Sequence, residues 1–121
     1  MSSSGWFAVD LDGTLAKYEG WKGVDHVGEP VPAMMERVKQ WVAEGRDVRI
    51  FTARVSARDQ DERIQAATAI QDWLQKHGLP RLPVTCMKDY AMVELWDDRC
   101  VQVEPNTGRR MDEYPNGLVT P

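Results

Sequence analysis

The sequence has few of the residues that build disulfide frameworks or zinc sites, with only two cysteines and two histidines among 121 residues. Cys86 and Cys100 are too few for a disulfide scaffold, and no Cys/His spacing is typical of zinc. Both cysteines lie in strand-like runs, so we expect them to be buried free thiols. The sequence therefore argues against a disulfide-rich or zinc-binding class of protein.

Long apolar runs are also missing, since no stretch approaches the roughly 20 residues of a membrane-spanning helix. The opening residues 1–5 lack the charged and apolar regions of a secretory signal, so we expect a cytoplasmic protein without a membrane partner. An excess of positive charge is missing too, because the net charge is −4. Nucleic-acid-binding surfaces are normally basic, so extended contact with a polyanion is not favoured.

What is present predicts one α/β domain over residues 1–121. With 42% hydrophobic and 28% charged residues, the chain is too apolar to be disordered, and it is too short for two stable domains. Apolar runs predict five strands, at residues 6–9, 48–51, 84–87, 92–96 and 100–103. Apolar residues at helical spacing predict two helices, at residues 32–44 and about 56–77. This alternation predicts a three-layer fold around a mainly parallel five-stranded sheet. Glycine-rich residues 15–28 predict an irregular flap, and residues 105–121 a polar, turn-rich tail.

Polar residues follow four of the predicted strands. They are Asp10 and Asp12, then Thr52, then Lys88, then the pair Asp97 and Asp98. Because the carboxyl ends of parallel strands meet at one edge of a sheet, where ligands bind, we expect these side chains to lie together. Clustered carboxylates repel one another unless protons or a metal neutralise them. An all-oxygen ligand set suits Mg²⁺, which favours phosphate-bearing substrates.

The spacing of Asp10 and Asp12 suits phosphoryl transfer. In an extended segment both side chains point the same way, so one carboxylate can attack while the other exchanges a proton with the leaving group. Aspartate is a nucleophile that forms an aspartyl-phosphate. Mg²⁺ and Lys88 would offset the repulsion between carboxylate and phosphate, and Thr52 would donate to a phosphate oxygen. Gly13 permits a sharp turn that brings backbone N–H groups near the anion.

These residues resemble the signature motifs of the haloacid dehalogenase superfamily, most of whose members are Mg²⁺-dependent phosphatases. The run DLDGTL at 10–15 resembles the first motif, Phe51-Thr52 the second, Lys88 the third and Asp97-Asp98 the fourth. The resemblance spans residues 6–104 and implies a Rossmann-like fold. The intervals between the motifs leave no room for an inserted cap domain, so the chain resembles the capless branch of the superfamily.

The resemblance also implies roles for the matched residues. Asp10 would be the nucleophile and Asp12 the general acid and then base, while Thr52 and Lys88 would hold the transferring phosphoryl group. The implied Mg²⁺ ligands are the Asp10 carboxylate, the Asp12 backbone carbonyl and one member of the Asp97-Asp98 pair. Asp97 is the first choice, and Asp98 would then act through water or by orienting Lys88.

Other polar and aromatic residues, near the strand ends and in the flap, leave more than one interpretation open. Arg54 and Arg99 follow strand ends, where they would either grip a substrate anion or form salt bridges with local carboxylates. In the flap, Tyr18, Trp21 and His26 would stack on a base or sugar, contact a subunit, or pin the flap to the body.

The expected function is a Mg²⁺-dependent phosphomonoesterase that acts through an aspartyl-phosphate on a small phosphorylated metabolite, either a nucleotide or a sugar phosphate. Residues 10–16 and 96–99 also resemble polynucleotide 3′-phosphatase domains, which is the alternative substrate class. A third alternative is a non-hydrolytic module that accepts phosphate or binds metal. An open, capless site also leaves a homo-oligomer to be tested.

Overall fold

Parallel strands form the centre of the fold in the computed structural model, which describes residues 5–113. The strands are β1 (Trp6–Val9), β2 (Asp47–Phe51), β3 (Val84–Thr85) and β4 (Met92–Trp96). The helices are α1 (Pro32–Ala43) and α2 (Gln60–Lys76), with short 3₁₀ turns at Ala53–Val55 and Met111–Glu113. Within the described residues the sheet has the order β3-β2-β1-β4, and every strand pair is parallel. The predicted α/β class with a parallel sheet is confirmed.

Strand β1 is the buried centre of this sheet and fixes where the chemistry lies. Ala8 and Val9 are fully buried between β2 and β4, as an apolar run without alternation predicts. In the register, Val9 pairs with Ile50 on one side and with Trp96 on the other. The three strands therefore end level with one another, and the residues that follow them reach the same edge of the sheet.

A residue that favours a helix start lies at the beginning of each helix. Pro32 occupies the first position of α1, where its missing N–H costs no hydrogen bond. At α2 the cap is Asp59, whose carboxylate accepts from the backbone N–H of Glu62 at 3.2 Å. Ser56 instead donates to the carbonyl of Ala53 at 2.6 Å and ends the preceding 3₁₀ turn. The helix thus begins at Gln60, later than the predicted start at about residue 56.

The predicted fifth strand at residues 100–103 is wrong. Val101 and Val103 are about half exposed, and the pairing there is a single antiparallel bridge between Val103 and Arg110. A β-branched run favours a strand only where it can pack on a half-buried surface, and here the segment folds on the following loop instead. Strand β3 is likewise shorter than the predicted 84–87.

The prediction of buried thiols is also wrong, because Cys86 and Cys100 are both exposed. Cys86 follows the end of β3, and Cys100 lies in the loop that was predicted as the fifth strand. The prediction of burial assumes that both cysteines lie in strands, and the structure places neither of them in a strand.

Residues 15–28, the predicted flap, contain no helix or strand. The base of the flap is closed by backbone hydrogen bonds from Lys17 to Glu29 and from Val31 to Leu15, both 2.8 Å. The tail is turn-rich over 105–113, while residues 1–4 and 114–121 of the predicted domain lie outside the described residues. Neither α1 nor α2 combines the length and apolar character needed to cross a lipid bilayer.

Candidate metal and phosphate site

Three carboxylates meet at the edge where β1 and β4 end. Asp10 follows β1, and Asp97 and Asp98 follow β4; one oxygen from each lies within 4.8 Å of the others. The backbone joins the two segments as well, since the Asp10 N–H donates to the carbonyl of Trp96 at 2.9 Å. The expectation that these aspartates gather at one sheet edge is confirmed, and the cluster offers only oxygen ligands.

Thr14 and Gly13 shape this cluster from the turn after β1. The Thr14 hydroxyl lies 3.2 Å from an Asp10 oxygen and 3.4 Å from an Asp98 oxygen, and it accepts from the Asp98 backbone N–H at 3.0 Å. Gly13 has φ +90°, and a Cβ there would clash with the Asp98 carboxylate. A side chain at position 13 would therefore strain the backbone and displace one member of the cluster.

The electrostatics of the cluster are those of a site that favours a cation. Burial raises the pKa of Asp10 to about 7, and the nearby charge of Asp97 adds to the rise. Like carboxylates that share a site oppose one another's ionisation in this way. A divalent cation would reverse that balance by stabilising all three negative charges together.

Asp12 lies apart from the three-carboxylate cluster and is paired with Arg54. Two guanidinium nitrogens of Arg54 each lie 2.8 Å from one oxygen of Asp12, and the Arg54 side chain is only 6% exposed. The guanidinium also lies 4.9 Å from the ring centroid of Trp21 and 3.5 Å from the carbonyl of Val24 in the flap. Of the two interpretations of Arg54, the structure contains the salt bridge, and the arginine links Asp12 to the flap.

Thr52 follows β2 and is the buried polar residue beside the carboxylates. Its backbone N–H donates to Thr85, and its hydroxyl oxygen accepts from the backbone N–H of Arg54 at 3.2 Å. No residue in the described range accepts the hydroxyl hydrogen of Thr52, so this donor is free for a ligand. Arg99, beyond β4, lines the same cleft and brings a second cation.

Lys88 does not reach this group of residues. It lies on the exposed loop after β3, and it is absent from the described residues that line the cleft at the carboxylates. Since β3 is two strands away from β1, a residue beyond its end begins far from Asp10. The phosphate-holding role of Lys88 stays a prediction.

A cleft of about 930 Å³ opens from the carboxylates toward the flap. Its lining includes Asp10, Asp12, Asp97 and Asp98 with Thr52, Arg54 and Arg99, together with Tyr18 and Trp21 of the flap and Glu62 and Gln65 of α2. Acidic groups outnumber cations in this lining, so the cleft is suited to an anionic ligand only when a metal accompanies it.

Two features of the site escaped sequence reasoning. The resemblance gives Thr14, within the DLDGTL run, no role of its own. A threonine directly after Asp-Gly does indicate that its hydroxyl can hydrogen-bond to groups of the neighbouring turn. The pairing of Asp12 with Arg54 links residues 42 positions apart, and only the fold brings them together.

Comparison of the chain with known protein families, with curated proteins and with solved structures finds no match.

Proposed function

We propose that this protein is a Mg²⁺-dependent phosphomonoesterase of the haloacid dehalogenase type, with a Rossmann-like capless fold and an aspartyl-phosphate intermediate. The observation that carries the proposal is the meeting of Asp10, Asp97 and Asp98 within 4.8 Å, at the carboxyl edge of a parallel sheet. Its substrate is a small phosphorylated metabolite.

The carboxylate cluster fits a magnesium ion by its chemistry. Its donors are all hard oxygens, and burial with the neighbouring Asp97 charge raises the pKa of Asp10 to about 7, so that a cation would favour the ionised form. Asp10 and Asp97 would hold the ion, with Asp98 beside them and the Asp12 backbone carbonyl as the ligand that the resemblance implies. When bound, Mg²⁺ supplies positive charge that offsets the repulsion between the carboxylates and a phosphate dianion.

The protein residues divide the reaction between them. An oxygen of the Asp10 carboxylate attacks phosphorus, the bond from phosphorus to the leaving oxygen breaks, and Asp12, which must enter this step protonated, gives its proton to that oxygen. Water then attacks the phosphorus of the aspartyl-phosphate, Asp12 takes the proton of that water, and inorganic phosphate leaves with the Asp10 carboxylate restored. The Thr52 hydroxyl, whose oxygen accepts from the Arg54 backbone N–H, would donate its hydrogen to a phosphoryl oxygen.

The pairing of Asp12 with Arg54 sets a condition on this reaction. Both oxygens of Asp12 accept from the guanidinium, so Arg54 must release at least one of them before Asp12 can exchange a proton with the leaving group. The same observation favours a second candidate function, in which Asp10 accepts a phosphoryl group and the acyl-phosphate is not hydrolysed.

Turnover of p-nitrophenyl phosphate separates these functions. The phosphatase releases many equivalents of p-nitrophenol and of phosphate per protein with Mg²⁺ and none after chelation, whereas a phospho-acceptor releases one equivalent of p-nitrophenol and no phosphate. Asp10→Asn removes the nucleophile, and we expect at least a thousandfold loss of kcat, because covalent catalysis loses its attacking group. Asp47→Asn, at the opposite end of β2, is the matched control and keeps full activity. Unchanged turnover in Asp10→Asn would refute the nucleophile assignment.

A further inference from the structure

The cleft beside the carboxylates is much larger than a phosphoryl group requires. Its volume is about 930 Å³, near the upper end of the roughly 300–1,000 Å³ typical of pockets that hold whole small molecules. Besides the carboxylates, the lining includes residues of the flap, of the 3₁₀ turn after β2 and of α2. The leaving group of the substrate therefore has a site of its own.

Aromatic side chains of the flap form one wall of this site. Trp21 is 59% exposed and Tyr18 is 51% exposed, and both line the cleft. An exposed tryptophan on an irregular segment loses the free energy that burial would give it, so two such rings facing one cleft mark a contact surface for an apolar or aromatic ligand.

The tryptophan is also held in place by the residues of the site. Arg54 stacks against the Trp21 ring at 4.9 Å and is itself fixed on Asp12 by two hydrogen bonds of 2.8 Å. The arginine thus orients the flap ring relative to the proposed acid–base residue. More than half of Trp21 stays exposed although Arg54 lies on the ring, so ring surface is left to receive a second flat group.

Helix α2 adds hydrogen-bonding groups to the lining of the cleft. Glu62 supplies an acceptor carboxylate, and Gln65 supplies an amide whose NH₂ group also donates to Asp25 of the flap at 3.4 Å. Aromatic rings and a few polar groups in one cleft match a nitrogen heterocycle, which has flat faces to stack and an edge to hydrogen-bond. A sugar phosphate without a base has no such face and would leave Trp21 and Tyr18 in water.

We propose that this cleft binds the base of a nucleoside monophosphate, so that the leaving group carries a heteroaromatic ring stacked on Trp21. The inference rests on the proposed phosphatase function and narrows its substrate class. The net charge of −4 and the acidic lining argue against an extended polynucleotide in the same place.

The test compares adenosine 5′-monophosphate with ribose 5-phosphate, which has the same phosphate and sugar but no base. We expect kcat/KM to favour the nucleotide at least tenfold. Trp21→Ala should reduce this ratio by about five- to a hundredfold, the range of base–aromatic stacking, and Trp21→Phe should retain most of it. Tyr90→Ala removes a fully exposed aromatic ring outside the cleft and should leave the ratio unchanged.

The outcomes separate this inference from the proposed function. Three results would overturn the inference while phosphatase activity stands. They are a wild-type ratio near one, an equal loss for both substrates in Trp21→Ala, and a tenfold preference for a 3′-phosphorylated oligonucleotide. If p-nitrophenyl phosphate is hydrolysed but neither of these esters is, the inference fails and the phosphatase proposal stands. If none of the three is hydrolysed, the phosphatase proposal fails, and calorimetric titration in Mg²⁺ decides the site alone. Tighter binding of the nucleotide that Trp21→Ala abolishes supports the site, and equal or absent binding refutes it.

Discussion

Thr14 and Gly13 show how the smallest groups of the site determine its shape. The Thr14 hydroxyl contacts a carboxylate from each side of the cluster, so one residue joins the turn after β1 to the turn after β4. Gly13 leaves the space that the Asp98 carboxylate fills. Three like charges are thus held together by local hydrogen bonds and by the absence of one side chain. This arrangement costs folding free energy unless a proton or a cation offsets the repulsion.

At the residue scale, the proton of Asp10 predicts a pH-dependent stability in the absence of metal. The pKa of an aspartate is about 4 in the unfolded chain, whereas the pKa of Asp10 in the folded chain is about 7. Between these two pH values the folded chain therefore holds a proton that the unfolded chain has lost. This contribution to stability is fully present below pH 4 and is lost as the pH rises through 7. Asp10→Asn removes the ionisation, so the variant should be more stable than the wild type at pH 8 and similar to it at pH 4.

The size of the effect is limited by solvent, because Asp10 is only half-buried. We expect about 1–2 kcal/mol at pH 8, well below the roughly 4 kcal/mol of a fully buried group with the same shift. Urea unfolding of both proteins with chelator present measures it. Asp47→Asn, far from the cluster, should give no such gain. A gain in Asp10→Asn that is equal at both pH values would contradict the repulsion argument.

At the element scale, the sequence correctly predicts a helix or strand where its apolar pattern matches the burial of that segment in the fold. Strand β1 has an uninterrupted apolar run and lies in the centre of the sheet. Helix α1 has Pro32 at its start and its apolar spacing on one face. The run 100–103 has the same local appearance as a strand, but nothing in the pattern shows whether a partner strand lies beside it. Pairing is a property of the whole fold, so local composition did not predict it.

The same distinction applies to the site. Asp10 and Asp97 could be predicted to meet because each follows a strand, and parallel strands end at one edge. Lys88 also follows a strand, but β3 is a short edge strand. The next residue, Asp89, contacts Trp6 at the start of β1, the opposite end from Asp10. The ion pair of Asp12 with Arg54 depends on the 3₁₀ turn after β2, whose course no residue spacing specifies.

At the element scale, a hydrogen bond between α2 and the flap predicts how often the flap opens. The Trp73 indole N–H of α2 donates to the flap carbonyl of Gly28 at 3.0 Å. Trp73→Phe keeps an aromatic ring but removes this bond, which is worth about 0.5–1.5 kcal/mol, and the smaller ring also loses packing in the core. Opening of the flap should become about two- to tenfold more frequent, and tryptic cleavage at the exposed Lys17 and Lys22 should accelerate by the same factor.

Trp6→Phe is the matched control for this experiment. The Trp6 indole donates to Asp89 at 2.9 Å, so the variant loses a comparable hydrogen bond outside the flap. We expect it to lower global stability without a selective increase of cleavage at Lys17 and Lys22. Equal cleavage rates in both variants would show that Trp73 does not anchor the flap.

At the scale of the whole molecule, folding itself creates the cation site. Asp10 and Asp97 are far apart in the sequence and meet only because β1 and β4 are neighbours in the sheet. An unfolded chain offers scattered carboxylates, which bind Mg²⁺ weakly, so the ion should bind almost only to the folded state. Any ligand with that preference raises the free energy of unfolding by an amount set by its concentration relative to its dissociation constant.

Mg²⁺ at a hundred times its dissociation constant should therefore stabilise the protein by about 2.7 kcal/mol. Thermal unfolding at fixed ionic strength measures this as a rise in Tm that grows with the logarithm of Mg²⁺ concentration. Asp97→Asn removes a cluster carboxylate and should abolish most of the rise, while Asp47→Asn should keep it. A rise of equal size in Asp97→Asn would mean that Mg²⁺ acts on the net charge of −4 in general, because screening of that charge does not depend on which carboxylate is removed.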